Sequence, residues 1–540
     1  MRKFTLYVIL FFFGTVTLRG QTTVLLDSTR LPIVAMKLPF LWPPWDPIPD
    51  TPKVSVDMGI VDNGYNVMNH ILDTKNGYLG KIGIEKRGSI SQAFWYLQKS
   101  YGFETRSFSG ADSDVVMLGM PKEHDWILYG PYDDHSFMRN TLMYQLGREL
   151  GYWTPRTKYC EVQFYDWAWA ADYRGLYVMM EKIKRDKKRV NISKLDLNDN
   201  AGDSLTGGYI FAVDKNIWAQ DSGWKSTKDT GVFFSYKYPK AADITIQQKN
   251  YLKAYVDSFE TALQGPNFKD ALIGYNKFID HASFIDFFFM QELSKNIDGY
   301  RRSAYLYKDK ISKGGKLIAG PIWDFNSALG GPKICTFEQD TGWTYQTVCY
   351  LTSNYHIPFW WGRLIQDSVY ARDLKCRWLQ LRQTTLDTAH IFRLMDSMRI
   401  YINEGATRHF AKYNIINTTL KNQVDSLKLW ITGRLNWLDA HMPGVCSFTG
   451  VQENAFIESS LKVFPNPTSG KLTINFYLPD QQKMNLELID MYGRTLILNE
   501  KQLMSANHSF QMDIGNHAAG IYFLKLSSEG KVYTRKIVLQ

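Results

Sequence analysis

The stretch that decides the fold runs from residue 296 to residue 326 and reads NIDGYRRSAYLYKDKISKGGKLIAGPIWDFN. A polar loop bearing Asp298 is followed by a strand-like segment, a turn at ISKGG and a second strand-like segment that leads to Asp324. The two segments predict a β-hairpin, whose ends fold back together and can bring both aspartates to one site. Because Asp324 stands between Trp323 and Phe325, its carboxylate must be paired or metal-bound if it is buried.

The surrounding segments follow the order found in protein kinases. Residues 281–297 (HASFIDFFFMQELSKNI) are apolar enough to form a buried helix directly before the loop that bears Asp298. Further upstream, residues 133–153 predict an amphipathic helix and residues 174–186 a strand. In kinases, an aspartate in the loop after a buried helix accepts the proton of the substrate hydroxyl, and another aspartate after a hairpin holds Mg²⁺. This order predicts Asp298 as the catalytic base and Asp324 as a metal ligand.

A turn of small residues lies nearer the N-terminus. Residues 80–105 predict a strand, a turn at Arg87-Gly88-Ser89 and a second segment that carries Lys99. Backbone N–H groups in such a turn can bind phosphate, and Arg87 or Lys99 can neutralise its charge. The turn does not have the glycine spacing of the kinase loop, so this prediction depends on the order of the whole set of segments.

One position departs from the kinase pattern. Kinases place an asparagine that binds a second metal ion five residues after the catalytic aspartate. That position is Ser303 here, and a hydroxyl is a weaker Mg²⁺ ligand than an amide oxygen. Ser303 is therefore a candidate metal ligand on which two-metal chemistry would depend. Two alternatives stay open: Asp324 can instead cap the turn near Ser327, or the two aspartates can form the carboxylate pair of a glycosidase.

Composition and charge narrow the class of protein. The chain has 540 residues, of which 45% are hydrophobic and 21% charged, and this describes a globular protein of two or three domains. Its formal net charge of +10 is not concentrated in one tail. The densest basic run, residues 182–189, is more typical of a solvated or phosphate-facing rim than of a nucleic-acid site. We therefore expect no nucleic-acid partner.

The N-terminus predicts export. Two basic residues precede an apolar run from Phe4 to about Val16, so residues 1–20 have the layout of a secretory signal peptide. No later stretch offers the roughly twenty uninterrupted apolar residues of a helical span, so we expect a mature chain that is secreted or surface-attached and has no transmembrane segment. Five cysteines do not make a dense framework, but Cys335 and Cys349 can close a loop in an oxidising compartment.

The chain divides into parts of different character. The predicted parts are the signal peptide (1–20), a Pro-rich lead-in (21–54), a mixed helix-and-strand domain (55–445), a linker (446–460) and a strand-rich domain (461–540). In the last part, Leu472, Ile474, Phe476 and Leu478 alternate with polar residues, as in a half-buried strand. About eighty residues of short strands with regular turns predict a small β-sandwich.

The C-terminal part resembles a known export domain. The segments that carry the resemblance are VFPNPTSGKLTINF (463–476), LELIDMYGRTL (486–496) and AAGIYFLKLSSEGKVYTRKIVLQ (518–540). They are similar to the type A sorting domain of the type IX secretion system. The resemblance implies passage across an outer membrane, with the type IX secretion machinery as a partner and an extracellular or outer-surface location.

The mixed domain resembles the CotH (spore coat protein H) kinase-like family. The resemblance is carried by RGSISQ (87–92), QKSYGFET (98–105), DWILYGPYDDHSFMRN (125–140), RGLYVMMEKIKRDKKRVNI (174–192), GGYIFAVDK (207–215), NIDGYRRSAYLYKD (296–309) and GPIWDFNSALGG (320–331). It implies an atypical secreted kinase that uses ATP and Mg²⁺ or another divalent metal to phosphorylate protein Ser/Thr. Carried over by position, Asp298 is the catalytic-loop aspartate, Asp324 the metal-binding one and Lys99 the phosphate-contacting lysine.

These observations set the expectations for the structure. The fold class is α+β, with an atypical protein-kinase-like two-lobed domain followed by a small C-terminal β-sandwich. The expected cofactors are ATP and a divalent metal, and the expected partner is a protein substrate or surface ligand. The alternative function is a catalytically weak or inactive kinase-fold protein that binds a surface ligand or acts in adhesion, because a fold alone does not settle a function.

Overall fold

The structure is a computed structural model that describes residues 24–39, 48–88, 90–215, 222–331, 333–349, 356–446, 460–478, 482–491, 493–503, 506–528 and 531–540. The predicted signal peptide, Ser89 and most of the predicted linker lie outside the described residues. The chain forms two compact units, Met1–Gly444 and Val445–Gln540. Helices and strands are mixed in the first unit and strands dominate the second, which confirms the α+β class.

The larger unit contains sixteen strands within its described residues. They are β1 (Ser28–Thr29), β2 (Ile33–Lys37), β3 (Val54–Val61), β4 (Asn69–His70), β5 (Tyr78–Arg87), β6 (Ser100–Arg106), β7 (Val115–Met117), β8 (Met120–Glu123), β9 (Asp125–Tyr129), β10 (Thr157–Tyr165), β11 (Ala171–Glu181), β12 (Tyr209–Val213), β13 (Gly223–Lys225), β14 (Phe233–Tyr238), β15 (Ala304–Lys308) and β16 (Leu317–Ala319).

Seven of these strands close into a barrel in the order β10-β11-β9-β6-β5-β3-β2. The barrel closes where β2 pairs in parallel with β10, in a register that sets Ile33 opposite Glu161. Residues 33–37 belong to the range predicted as a lead-in, so the folded unit begins earlier than residue 55. The physical reason is that Pro-rich sequence is confined to the residues after β2, whereas IVAMK itself pairs on both sides.

The apolar run of β11 is explained by burial on both faces. Leu176, Val178 and Met180 pack into the main core of the unit, whereas Tyr177 and Met179 point into the barrel. Alternate residues of a strand face opposite sides of a sheet, so a strand between two cores needs apolar residues at every position. The barrel wall is therefore shared with the second half of the unit.

A five-stranded sheet forms the second half, in the order β13-β14-β12-β15-β16. The predicted hairpin is confirmed, with Leu306 opposite Ala319 and Lys308 opposite Leu317. Its second strand is shorter than the sequence predicts, because β16 ends at Ala319 and the chain reaches Asp324 through an extended segment.

The larger unit contains eight helices within its described residues. They are α1 (Arg139–Glu149), α2 (Gly202–Leu205), α3 (Ile246–Gln264), α4 (His281–Ser294), α5 (Trp360–Ile365), α6 (Ser368–Arg382), α7 (Thr388–Lys412) and α8 (Leu420–His441). The predicted buried helix is α4, and from Ser283 to Ser294 all its residues are buried. The Asp280 carboxylate caps its start by accepting the backbone N–H of Ser283, and Lys295 ends it in the left-handed conformation at φ 44°.

The smaller unit consists of strands. They are β17 (Lys462–Phe464), β18 (Lys471–Leu478), β19 (Gln482–Ile489), β20 (Thr495–Leu503), β21 (Ala506–Asp513), β22 (Gly520–Ser528) and β23 (Lys531–Leu539). A three-stranded sheet and a four-stranded sheet share one hydrophobic core, to which the alternating residues Leu472, Ile474, Phe476 and Leu478 all contribute. The unit is therefore a small β-sandwich.

The predicted disulfide is present in the larger unit. Cys335 and Cys349 are joined, with their Cα atoms 5.3 Å apart. Cys160 carries a free thiol that is buried in the barrel.

Candidate active site

A cavity of about 520 Å³ lies within the larger unit, where the barrel meets the five-stranded sheet. Its wall is formed by the end of β5, the end of β9, α1, the end of β12, the loop between α4 and β15, and the segment after β16. Both predicted catalytic aspartates, Asp298 and Asp324, line it. The volume falls within the range of small-molecule sites, which is about 300–1,000 Å³.

Asp324 is held through its backbone by one face of α1. Its N–H donates to the Tyr144 hydroxyl (3.2 Å), and the N–H of Phe325 donates to Oδ1 of Asn140 (2.8 Å). Asn140 and Tyr144 are four residues apart, so both lie on the same side of the helix. Asp324 has a φ of 67°, a left-handed conformation that aspartate and asparagine adopt more readily than most residues.

The aromatic neighbours of Asp324 have separate roles. Phe325 is fully buried in the main core and meets Tyr144 edge to face, with ring centroids 6.1 Å apart. Trp323 lines the cavity instead, stacked on Tyr144 at 5.9 Å, and the guanidinium of Arg87 lies 5.7 Å from its ring centroid. One aromatic residue therefore anchors the segment, and the other places a cation beside the carboxylate.

Asp298 is oriented by an arginine of its own loop. Nη2 of Arg301 donates to Oδ1 of Asp298 at 3.0 Å, and Nε of Arg301 donates to the carbonyl of Ile297 at 2.9 Å. Arg302 approaches the same carboxylate oxygen at 3.9 Å. The side chain of Asp298 keeps 26% of its surface exposed, so it remains accessible from the cavity.

A buried asparagine joins the two aspartates. Nδ2 of Asn296 donates to the backbone carbonyl of Asp324 (2.9 Å), and its Oδ1 accepts the backbone N–H of Asp298 (3.1 Å). Asn296 is only 1% exposed. Sequence reasoning did not single it out, because one asparagine in a polar loop carries no signal of its own.

The carboxylates of the cavity repel one another. Burial, together with the charges of Asp298 and Asp214, raises the pKa of Asp324 to about 7, against the lowering effects of Arg87 and a hydrogen bond from Ser303. Burial likewise raises the pKa of Asp298, while Arg301 lowers it. Two half-buried carboxylates in one cavity suit a divalent cation, since Mg²⁺ is commonly bound by one or two carboxylates together with substrate phosphates.

Asp214 is a third carboxylate that the sequence analysis missed. β12 pairs with β15 so that Val213 lies opposite Ala304, and this register brings Asp214 to the side of Ser303. Nζ of Lys237 donates to its carboxylate at 2.9 Å. In the sequence Asp214 lies within GGYIFAVDK (207–215), and no local pattern marks it, because the end of a strand does not reveal which strand lies beside it.

Of the predicted nucleotide-binding residues, some line the cavity and others do not. Arg87 and Gly88 line the cavity, whereas Ser89 lies outside the described residues. Gly88 has a φ of 88°, and a Cβ atom there would lie 2.3 Å from Oγ of Ser91. Lys99 does not line the cavity, and its ammonium donates to the carbonyls of Ala93 (2.6 Å) and Gln92 (3.4 Å). In this structure Lys99 holds the segment after the turn.

Ser303 and Asp324 line the same cavity, as the assignment of both to one metal site requires. Its hydroxyl is close enough to the Asp324 carboxylate to lower the pKa of that group, and its φ of 50° is a conformation that asparagine tolerates well. The structure thus brings Arg87, Gly88, Asp298, Ser303 and Asp324 to one cavity.

A second group of ligand-type atoms is found elsewhere in the described part of the chain. Asp114, Glu123 and His124 have ligand atoms within 4.8 Å of one another. Nζ of Lys184 lies 3.0 Å from the Glu123 carboxylate and 2.9 Å from Nε2 of His124, so a lysine already supplies a cation there. This group is therefore an ion-pair cluster of the barrel.

Two protein families match separate parts of the chain. Residues 84–438 match the CotH kinase protein family, a range that covers more than half of the chain. The chain belongs to this family. Residues 462–540 match the secretion system C-terminal sorting domain, so both resemblances drawn from the sequence are confirmed. No curated protein matches this CotH chain.

The sorting domain also bears on location. A domain of this type directs a chain to secretion or to the outer surface. Among the described residues of this CotH protein, every helix is too short or too polar to cross a membrane.

Proposed function

We propose that this protein is a secreted phosphotransferase that moves the terminal phosphate of ATP to a Ser or Thr hydroxyl of a protein, with the help of a divalent metal. The observation that carries the proposal is that Asp298 and Asp324 line the same cavity with different partners, since Asp298 is paired with Arg301 whereas the backbone of Asp324 is held by α1. Two carboxylates in different environments can take different tasks. Membership of a kinase family supports this assignment.

The metal and nucleotide fit the residues that are present. Asp324 and the hydroxyl of Ser303 would hold the metal, and Asp214 adds negative charge beside them. Arg87 and the backbone of Gly88 would face the phosphates, because a guanidinium and a glycine turn both suit an anion. A bound metal would supply positive charge, which reduces the repulsion between the negatively charged phosphate oxygens and the carboxylates.

Asp298 would act as the base in the transfer. Its carboxylate accepts the proton of the Ser or Thr hydroxyl as the new bond from that oxygen to the terminal phosphorus forms. The bond between the same phosphorus and the bridging oxygen breaks, and ADP leaves with the electron pair. The hydrogen bond from Arg301 fixes the orientation of the carboxylate and keeps one of its oxygens unprotonated before the transfer.

The test of this proposal is phosphate transfer by the mature chain. Labelled ATP, Mg²⁺ and a Ser/Thr-rich protein acceptor should give labelled acceptor with the wild type. Asp298→Asn should lower the rate by roughly 10²–10⁴, because the base is needed only in the transfer step. A wild type that neither labels an acceptor nor binds nucleotide would leave the alternative, a surface-binding protein built on the same fold.

We infer that the C-terminal unit is the address read by the type IX secretion machinery. Its match to a secretion sorting domain and its separate hydrophobic core support this inference. Deleting residues 458–540 should leave the protein within the cell envelope. Delivery of the truncated chain to the surface at the normal level would overturn the inference.

A further inference from the structure

The geometry points to Asn296 as the positioning residue that sets the catalytic base and the metal-binding carboxylate relative to each other. This inference rests on the proposed function for its catalytic consequence, but its structural consequence can be measured independently. One side chain contacts both loops: it donates to the carbonyl of Asp324 and accepts from the N–H of Asp298. Each contact is made with the backbone of an aspartate, so both carboxylates keep their own oxygens for chemistry.

Asn296 is tied to the most buried helix of the unit. It follows directly after the end of α4, where the backbone N–H of Leu329 donates to the carbonyl of Ser294 at 2.6 Å. Nζ of Lys295 donates to the carbonyl of Thr336 at 2.7 Å and to that of Thr341. These bonds fix the helix end, so Asn296 links the position of α4 to the two segments that carry Asp298 and Asp324.

The chemistry needs both contacts at once. Transfer requires the base and the metal-held phosphate at a defined separation, and a misplacement of about 1 Å can lower a rate about 10²-fold. An amide is suited to this task, since one neutral group offers both an N–H donor and an oxygen acceptor. Alanine would remove both contacts, whereas aspartate would keep the acceptor for the Asp298 N–H and lose the donor to Asp324.

Two other asparagines provide matched controls. Asn140 accepts the N–H of Phe325 and therefore acts only on the segment that carries Asp324. Asn276 lies at the opposite end of α4, where its Oδ1 is 3.2 Å from Nδ1 of His281, and it is remote from the cavity residues.

The experiment combines hydrogen exchange with kinetics on the mature chain. In Asn296→Ala, amides around Asp298 and around Asp324 should both exchange faster, and turnover at saturating ATP should fall about 10²-fold. Asn140→Ala should loosen only the Asp324 segment, and Asn296→Asp should keep the Asp298 amide protected. Asn276→Ala should match the wild type in exchange and rate.

The outcomes separate this inference from the proposed function. Faster exchange confined to one segment in Asn296→Ala, or equal rates for that variant and the wild type, would overturn the positioning role. If the wild type itself transfers no phosphate, the proposed function fails and the exchange data alone decide whether Asn296 joins the two loops. If Asn296→Ala does not fold, Asn296→Asp provides the test. Its amides around Asp324 should exchange faster than in the wild type while the Asp298 amide stays protected, and any other pattern would overturn the positioning role.

Discussion

Replacing Asp324 by asparagine should make the ligand-free protein more stable at pH 8. Burial and two neighbouring carboxylates raise the pKa of Asp324 from 3.8 to about 7, so the charged form is disfavoured in the folded state. Asparagine has the same shape, tolerates the φ of 67° and leaves the backbone hydrogen bonds of the segment to Tyr144 and Asn140 in place. The variant therefore removes an unfavourable charge without removing the contacts of the segment.

The magnitude follows from the pKa. A rise from 3.8 to about 7 is worth about 4 kcal/mol at about 1.36 kcal/mol per pKa unit, and about 2–4 kcal/mol once partial solvent screening is included. The folded-state pKa is raised, so this contribution to stability is complete below about pH 4 and is lost as the pH rises through about 7. With an unfolding entropy of about 2 cal/mol/K per residue over a unit of roughly 440 residues, the expected gain is about 2–4 °C in Tm at pH 8.

The assay is thermal unfolding of wild type and Asp324→Asn from pH 4 to pH 8 without metal or nucleotide. The difference in Tm should be near zero at pH 4 and should grow up to about pH 7. Asp425→Asn, which changes an exposed carboxylate of α8, should leave Tm unchanged at both ends of the range. A lower Tm for Asp324→Asn at pH 8 would refute the reasoning and favour a purely structural carboxylate.

The remaining predictions concern the other residues of the cavity. Metal affinity of the wild type should rise about tenfold per pH unit below pH 7 and level off above it, since Asp324 must lose its proton to bind; a pH-independent affinity measured by calorimetry would contradict this. Asp298→Asn should retain ATP binding while turnover falls, which separates the base from the binding site. Gly88→Ala should weaken ATP binding about tenfold, because strain of about 1–2 kcal/mol at a φ of 88° and the contact with Ser91 displace the turn. Ser303→Asn should raise Mg²⁺ affinity, because an amide oxygen is a stronger Mg²⁺ ligand than a hydroxyl, and an unchanged affinity would remove Ser303 from the metal site.

Local sequence patterns predicted the elements that carry the two aspartates. The apolar run of α4, and the two strand-like segments and turn of the β15–β16 hairpin, are each visible within a single stretch of chain. The alternation that begins at Leu472 predicted the sandwich in the same way. Because a hairpin returns the chain to its start, the meeting of Asp298 and Asp324 could be predicted as well.

Long-range pairing could not be predicted from such patterns. The barrel closes through β2 and β10, which are more than 100 residues apart in the chain, and no local period reports that pairing. Asp214 reaches the cavity through the register of β12 with β15, and Asn296 acts through two hydrogen bonds that depend on the final packing. The direction of Lys99 follows from the path of the segment after Gly88, which brings two carbonyls to its ammonium. The two-lobed kinase architecture stays a prediction.

The most direct test of the central claim is calorimetric titration of the mature chain with ATP, with and without Mg²⁺, at pH 8. The account predicts binding that requires the metal and that is lost in Asp324→Asn while Asp298→Asn retains it. Absence of nucleotide binding by the wild type with any divalent ion would contradict the account and leave a kinase-fold protein that binds a surface ligand.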